Sequence, residues 1–127
     1  MAGQTFYRDL LEDLKDSEFL REYVKSSIRI STVDGIINDL EARREELGKS
    51  KAEIAEALDL HGAAVRRLFT SKSGNPTIGA LAEVAAMLGM RVVLEPMSLN
   101  QSKVVSAALE TGQVKSPEKL VKALMSR

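Results

Sequence analysis

The residue types that enzymes use for chemistry are scarce in this sequence. It has no cysteine, so thiolate and disulfide chemistry are absent, and its single histidine, His61, excludes sites built from several histidines. The stretch from Gly74 to Gly79 has two glycines but lacks the Lys-Ser/Thr pair of a phosphate-binding loop. Carboxylates are numerous, but they lie on the polar faces of amphipathic segments. The sequence therefore predicts neither an enzyme nor a metal or cofactor site.

Residues 62–70 offer a different chemistry, because cationic and small side chains share one face of a predicted helix. At about 100° per residue, the apolar arc consists of Ala64, Val65, Leu68 and Phe69. The opposite arc consists of Gly62, Ala63, Arg66, Arg67 and Thr70. This second arc is a low, positively charged surface that could enter a groove. The alternative is that the arginines only keep the surface soluble.

The charges are unevenly distributed although the formal net charge is zero. Residues 33–60 carry four Lys/Arg against eight Asp/Glu, residues 61–95 four against two, and residues 96–127 five against two. This sign change is compatible with a local phosphate-binding face and predicts weak non-specific binding to nucleic acid. The C-terminal lysines are either a solvated face or a nucleic-acid contact: Lys103, Lys115, Lys119 and Lys122.

The composition predicts one soluble, cytoplasmic domain with appendages. The chain has 127 residues, 44% of them apolar but only 4% aromatic, so its core should consist of Leu, Ile, Val and Ala. The longest apolar region, residues 78–94, is interrupted by Glu83 and Arg91 and is too short to span a bilayer. We expect no signal peptide, because no basic, apolar and small-residue pattern opens the sequence.

The cationic face must be held outward by neighbouring structure. The pattern of residues 50–70 predicts two short helices joined by a tight turn, which would do this. Ser50 and Glu53 form a capping-box pattern, and Gly48 is placed to end the preceding helix in the left-handed conformation. Asp59 would adopt that conformation in the turn at modest cost. His61 is a weak N-cap, and it would be either a polar surface residue or a phosphate contact.

The rest of the chain reads largely as helix. Two amphipathic patterns cover residues 5–14 and 19–28, and form either a partner-binding arm or helices packed on the core. A brief alternation at 27–33 would also suit a strand, although helix is favoured. Thr32 would cap a helix over 33–47. Further helices are predicted after three caps: Thr77, Ser98 and Ser116.

Residues 91–95 are the one predicted strand, which Pro96 ends. A single strand cannot satisfy its own backbone groups. It would therefore pair with a second copy, an N-terminal segment or a partner's sheet edge, or else remain a short solvated tail. The residues predicted to make this pairing are Arg91, Val92, Val93 and Leu94.

The helix pair resembles the helix-turn-helix of the lambda-repressor-like (Xre-type) DNA-binding family. The matching residues are Ile54, Ala55, Leu58, Leu60, Val65, Leu68 and Phe69. Asp59 departs from the glycine often found in this turn, and His61 from the usual Ser or Thr. The segments DSEF…REY at 16–23 and GNPT at 74–77 are similar to HigA-type antitoxins.

The resemblance implies an all-α fold: a lambda-repressor-like helical bundle with N-terminal helices, the short C-terminal strand and a helical tail. The expected division is an N-terminal arm at 1–32, the DNA-binding domain at 33–96 and the tail at 97–127. The implied function is an antitoxin and autorepressor that binds operator DNA as a homodimer and a toxin protein. The alternatives are a stand-alone Xre-type regulator and an interaction adaptor that no longer binds DNA.

We expect the second helix to enter the major groove of double-stranded DNA, where Arg66 would read a base and Arg67 would contact either a base or the backbone. Lys51 would grip a phosphate beside the positive end of the first helix. The full predicted DNA-binding set is Lys51, His61, Gly62, Ala63, Arg66, Arg67, Thr70, Ser71 and Lys72.

Overall fold

The computed structural model describes residues 2–70 and 75–125 of the chain. These residues contain seven helices: α1 (Ala2–Asp13), α2 (Ser17–Leu47), α3 (Lys51–Ala57), α4 (Gly62–Phe69), α5 (Ile78–Met87), α6 (Leu99–Thr111) and α7 (Pro117–Met125). No strand occurs in the described ranges. The prediction of an all-α fold is therefore confirmed for this part of the chain. None of these helices combines the length and the apolar character needed to cross a membrane.

The predicted strand at Arg91, Val92, Val93 and Leu94 is wrong. Residues 90–98 belong to neither a helix nor a strand. A strand needs a second segment to share its ladder hydrogen bonds, and the described part of the chain supplies none there. The side chains of Val93 and Leu94 are 68% and 97% exposed, so no packing holds them in a β conformation either.

The predicted helix boundary at Thr32 is also wrong, because α2 continues without a break from Ser17 to Leu47. Thr32 lies inside this helix and caps nothing. Just before it, the Ser31 hydroxyl donates to the Ile28 carbonyl at 3.3 Å, a local bond that a helix accommodates. The apolar periodicity runs on through this polar stretch, and it outweighs the capping tendency of a single threonine.

Residues 32–94 form one of two compact units, here called unit 2. It contains the second part of α2 together with α3, α4 and α5. Its core is a cluster of buried aliphatic side chains closed by one phenylalanine: Ile37, Leu40, Ile54, Ala55, Val65, Phe69, Leu81, Val84, Ala85 and Leu88. Both arms of the predicted helix pair contribute to this cluster.

Residues 1–31 and 95–127 form the other compact unit, here called unit 1. Its separate core draws on α1, the first part of α2, α6 and α7: Leu14, Leu20, Val24, Val105, Ala108, Leu120 and Val121. The side-chain amide of Gln101 donates to the Ala123 carbonyl at 2.7 Å and ties α6 to α7. The C-terminal helices therefore pack on the N-terminal ones.

The predicted caps outside α2 are confirmed. The hydroxyl of Thr77 accepts from the Ala80 amide at 3.1 Å, and that of Ser98 from the Gln101 amide at 3.2 Å. Gly112 ends α6 with φ +71°, in the left-handed region where glycine is unstrained. Ser116 accepts from the Lys119 amide at 3.3 Å and opens α7 ahead of Pro117.

Candidate nucleic-acid interface

The helix α3 begins at the predicted capping box. The Ser50 hydroxyl accepts from the Glu53 amide at 3.0 Å, and the Glu53 carboxylate accepts from the Ser50 amide at 3.1 Å. These bonds hold the pKa of Glu53 below its usual value, chiefly because the Ser50 backbone N–H stabilises the charged form. The start of α3 is thereby fixed, and Ile54 and Ala55 are directed into the unit 2 core.

The turn between α3 and α4 is a Schellman motif with aspartate in the position that glycine usually takes. Asp59 has φ +53°, the only positive φ of a non-glycine residue in the described chain. The Leu60 amide donates to the Ala55 carbonyl at 2.8 Å, and the Asp59 amide to the Glu56 carbonyl at 3.2 Å. Leu60 then packs against the core. This geometry sets the direction in which α4 leaves the turn.

The helix α4 separates apolar and cationic side chains as the sequence pattern indicated. Val65 and Phe69 are 1% and 8% exposed and face the core. On the opposite side Gly62 is half-buried, while four side chains are exposed: Ala63, Arg66, Arg67 and Thr70. His61 is exposed at the N-cap and makes no side-chain cap bond, in agreement with the prediction that it caps weakly. The exposed side of α4 therefore carries the Arg66 and Arg67 guanidinium groups, with small or polar residues on either side of them along the helix.

Arg66 lies back along α4 towards its N-terminus. One guanidinium nitrogen is 3.2 Å from the point where a Cβ atom would stand on Gly62. The missing side chain of Gly62 therefore makes room for the arginine four residues later. The sequence pattern placed Gly62 on the same face as Arg66, and their i, i+4 spacing makes them neighbours there, but it did not predict that the glycine makes room for the arginine.

Lys51 and Arg44 both approach the ring of Phe69, at the last turn of α4. The Lys51 ammonium lies 5.6 Å from the ring centroid and the Arg44 guanidinium carbon 5.9 Å from it. Contacts at this distance are cation–π interactions worth about 0.5–1 kcal/mol at exposed sites. They hold the Lys51 side chain beside the end of the helix that carries Arg66 and Arg67.

Arg44 is a positioning residue that sequence reasoning did not identify. It donates to the Lys49 carbonyl at 2.9 Å and forms a two-point ion pair with Glu41. Its hydrogen bonds hold the pKa of Glu41 below the usual value. The sequence signal was its place on the inward stripe of α2, next to Leu40, where an arginine must find acceptors.

Thr70 closes α4, and both its amide and its hydroxyl donate to the Arg67 carbonyl, at 3.2 and 3.1 Å. Ser71 and Lys72, which were also predicted to contact DNA, lie outside the described residues, as does Gly74 of the GNPT segment. The described residues contain no group of three or more His, Cys, Asp or Glu side chains able to hold a metal ion. The chemistry that this surface offers is anion binding.

Residues 40–93 match a protein-family model described as helix-turn-helix. The match spans the end of α2 through α5 and is of the Xre, or lambda-repressor-like, type, a family of DNA-binding regulatory domains rather than of enzymes. No curated protein and no solved structure matches the chain. This part of the chain is therefore similar to a helix-turn-helix domain, and α4 corresponds to the second helix of that motif.

Proposed function

We propose that this protein is a sequence-specific, DNA-binding transcriptional regulator that acts as a homodimer. The observation that carries the proposal is the exposure of Arg66 and Arg67 on the second helix of a helix-turn-helix domain whose opposite face is buried in the core. Exposed arginines among small side chains suit close approach to a groove. The domain type indicates that the ligand is DNA, and the exposed side chains of α4 are the groups that would contact it.

In the proposed complex α4 lies in the major groove of double-stranded DNA. Arg66 donates two hydrogen bonds to O6 and N7 of a guanine, a contact worth about 1–3 kcal/mol of discrimination. Arg67 contacts either a base or the backbone. Ala63 touches a thymine methyl, and Gly62 lets the backbone approach closely while leaving room for Arg66.

Phosphate contacts fix the domain on the duplex. Lys51 is already held beside the end of α4 by Phe69, so ordering it on a phosphate costs less side-chain entropy. His61 at the start of α4 makes a further phosphate contact. The remaining proposed phosphate contacts are Thr70, Ser71 and Lys72. Because the chain has no net charge, its affinity for random DNA is expected to be low.

One α4 reads only a few base pairs, so specificity requires two copies. A twofold axis would place the two helices in half-sites roughly 34–36 Å apart along the duplex. The operator would then be a near-palindrome.

Two substitutions separate base reading from phosphate binding, and an electrophoretic shift with the protein's own promoter DNA is the assay. Arg66→Ala should weaken operator binding by about 1–3 kcal/mol and relax the preference at one position in each half-site. Lys51→Ala should weaken all sequences alike and lower the salt slope by about 0.9 for each phosphate that the variant no longer neutralises. Arg29→Ala, an exposed arginine on α2 outside the helix-turn-helix, is the control. Unchanged binding by both test variants would refute the docking.

We further propose that the regulator is the antitoxin of a toxin–antitoxin module. The basis is the likeness of residues 16–23 and 74–77 to HigA-type antitoxins. Unit 1 offers a second surface for a toxin, apart from the helix-turn-helix. A neighbouring reading frame for a small basic protein that co-purifies with this chain would support the proposal. Repression of the promoter without such a partner would instead identify a stand-alone regulator.

A protein-interaction adaptor that has lost DNA binding is the competing function. Asp59 in the turn and the weak His61 cap are the departures that favour it. The promoter shift assay distinguishes the two functions, because an adaptor would give no shift at any salt concentration.

A further inference from the structure

A cleft between α6 and α7 in unit 1 is rimmed by cations. It has a volume of about 580 Å³ and is lined by Lys103, Lys115 and Lys119, with an apolar floor of Val104, Ala107 and Val114. No carboxylate lines it. None of the three lysines makes an ion pair with another part of the chain that the structure describes. A volume within the about 300–1,000 Å³ of ordinary binding pockets can take a large side chain.

The opposite charge gathers on another surface of the same unit, where α1 meets α2. A shallow depression there is lined by Phe19 and five carboxylates: Glu12, Asp13, Asp16, Glu18 and Glu22. Phe19 is 41% exposed, and its ring stacks on Tyr23 with centroids 6.3 Å apart. An aromatic ring left partly exposed and fixed by a neighbour is typical of a residue that anchors an interface.

Contacts within unit 1 join the helices that carry the two surfaces. Arg21 of α2 donates to the carbonyls of Leu109 and Glu110 at the end of α6, at 3.3 and 3.2 Å. Gly112 packs so tightly on Ser17 that a Cβ atom there would lie 2.8 Å from the serine Cβ. These contacts join the helix that carries Phe19 to the helix that carries Lys103.

We propose that the lysine cleft binds the acidic surface around Phe19 of a second copy of this chain. The Phe19 ring would cover the apolar floor of the cleft, and the carboxylates around it would face the lysines. A twofold axis that forms this contact also forms its reciprocal, because each copy carries both surfaces. Charge pairs at such a rim set specificity and salt dependence. The inference deepens the homodimer of the proposed function, but neither surface involves α4.

Substitutions that reverse the charge of each surface test the contact. The measured quantity is the molecular mass of the full chain in sedimentation equilibrium without DNA. Lys103→Glu/Lys119→Glu reverses the formal charge of the cleft lining from +3 to −1, and Asp13→Lys/Glu18→Lys/Glu22→Lys reverses that of the acidic lining from −5 to +1. Each charge-reversed chain alone should dissociate at least tenfold more readily than the natural chain, because both contacts then join like charges. An equimolar mixture of the two should recover the dimer, because both contacts in the mixed pair are again complementary.

A matched pair of aromatic substitutions tests the apolar part of the contact. Phe19→Ala should weaken the dimer at least tenfold, whereas Phe6→Ala, an exposed phenylalanine of α1 outside the acidic surface, should leave it unchanged. Circular dichroism confirms that each variant is folded.

Three results would overturn the inference: a monomeric natural chain, a dimer that both charge reversals leave intact, or reversed chains that fail to recover when mixed. A cleft variant that loses affinity for random duplex DNA while its mass stays dimeric would assign the lysines to nucleic acid instead. Because the mass measurement contains no DNA, its outcome is independent of whether α4 binds an operator.

Discussion

At the scale of single residues, Glu41 and Arg44 connect the end of α2 with the proposed DNA-binding helix. Arg44 joins the Glu41 carboxylate, the Lys49 carbonyl and the Phe69 ring. The ion pair is largely shielded from solvent, since the Arg44 and Glu41 side chains are only 17% and 30% exposed. Removing Arg44 would leave Glu41 without its hydrogen-bond donor, and removing Glu41 would leave Arg44 only the more distant Glu45 carboxylate, at 3.9 Å. Either change would loosen the contact with α4.

The pKa of Glu41 gives this pair a pH dependence. Hydrogen bonds from Arg44 lower that pKa from the ordinary 4.5, so the folded protein binds fewer protons at Glu41 than the unfolded chain. The stabilisation is present above pH 4.5 and is lost as the pH falls through the folded value. Glu41→Gln should therefore lower the free energy of unfolding at neutral pH, and the difference should shrink under acid.

Urea unfolding of the natural chain and of Glu41→Gln, from neutral pH down to below 4.5, measures this difference. In an Arg44→Met background the same substitution should change the pH dependence much less, because the main donor to Glu41 is gone. A difference that stayed constant with pH would mean that the ion pair contributes nothing.

At the scale of helices, two chain reversals with the same hydrogen bonding use different residues. Asp59 ends α3 with φ +53° and Gly89 ends α5 with φ +73°. In both, the second residue after the cap donates to a carbonyl five residues back, Leu60 to Ala55 and Met90 to Ala85, each at 2.8 Å. Only the Asp59 turn carries the strain of a Cβ atom in the left-handed region.

Exchanging the two residue types should therefore change stability in opposite directions. Asp59→Gly should raise the free energy of unfolding by roughly 0.5–1 kcal/mol, since relief of strain exceeds the entropy that glycine adds to the unfolded chain. Gly89→Asp should lower it by about 1 kcal/mol, because the nearest atom to a new Cβ is 3.8 Å away and only the backbone strain remains. Urea denaturation measures both, and equal signs would contradict the assignment.

Local signals of this kind were readable from the sequence. Ser50, Thr77 and Ser98 each mark the helix start that the structure has there, because a cap acts within one turn of the chain. The expectation that a capping residue marks a helix start failed at Thr32. There α2 continues, because its residues before and after the threonine pack into the two cores. The strand prediction at 91–95 also failed, because β propensity needs a partner segment that local sequence does not reveal.

Features that depend on packing between distant segments could not be predicted from the sequence. The cation–π contacts of Lys51 and Arg44 with Phe69 join three different helices, and only the folded core brings them together. The same holds for the packing of α6 and α7 on the N-terminal helices, since an amphipathic face does not specify its partner.

At the scale of the whole molecule, the two cores share no residue. Leu120 of unit 1 and Val84 of unit 2 are both fully buried, and each belongs to its own cluster. Replacing Leu120 with alanine leaves a cavity and lowers the free energy of unfolding by about 2–5 kcal/mol. Amide exchange in Leu120→Ala should therefore speed up in α1, α6 and α7, while α3, α4 and α5 stay protected.

The matched variant Val84→Ala should give the reverse pattern. Hydrogen exchange followed by mass spectrometry reads both. Uniform acceleration across the chain in either variant would show that the units unfold as one, and that substitutions in unit 1 also affect unit 2, which carries the proposed DNA-binding helix.

The claim on which the account depends most is that the exposed face of α4 reads base sequence. Selection of bound fragments from a pool of random duplexes, carried out in parallel with the natural chain and with Arg66→Ala, tests it directly. The natural chain should enrich a near-palindrome whose half-sites are about 10–10.5 base pairs apart and carry a fixed guanine, which the variant should no longer require. No enriched sequence, or the same sequence with the same guanine from both proteins, would contradict it.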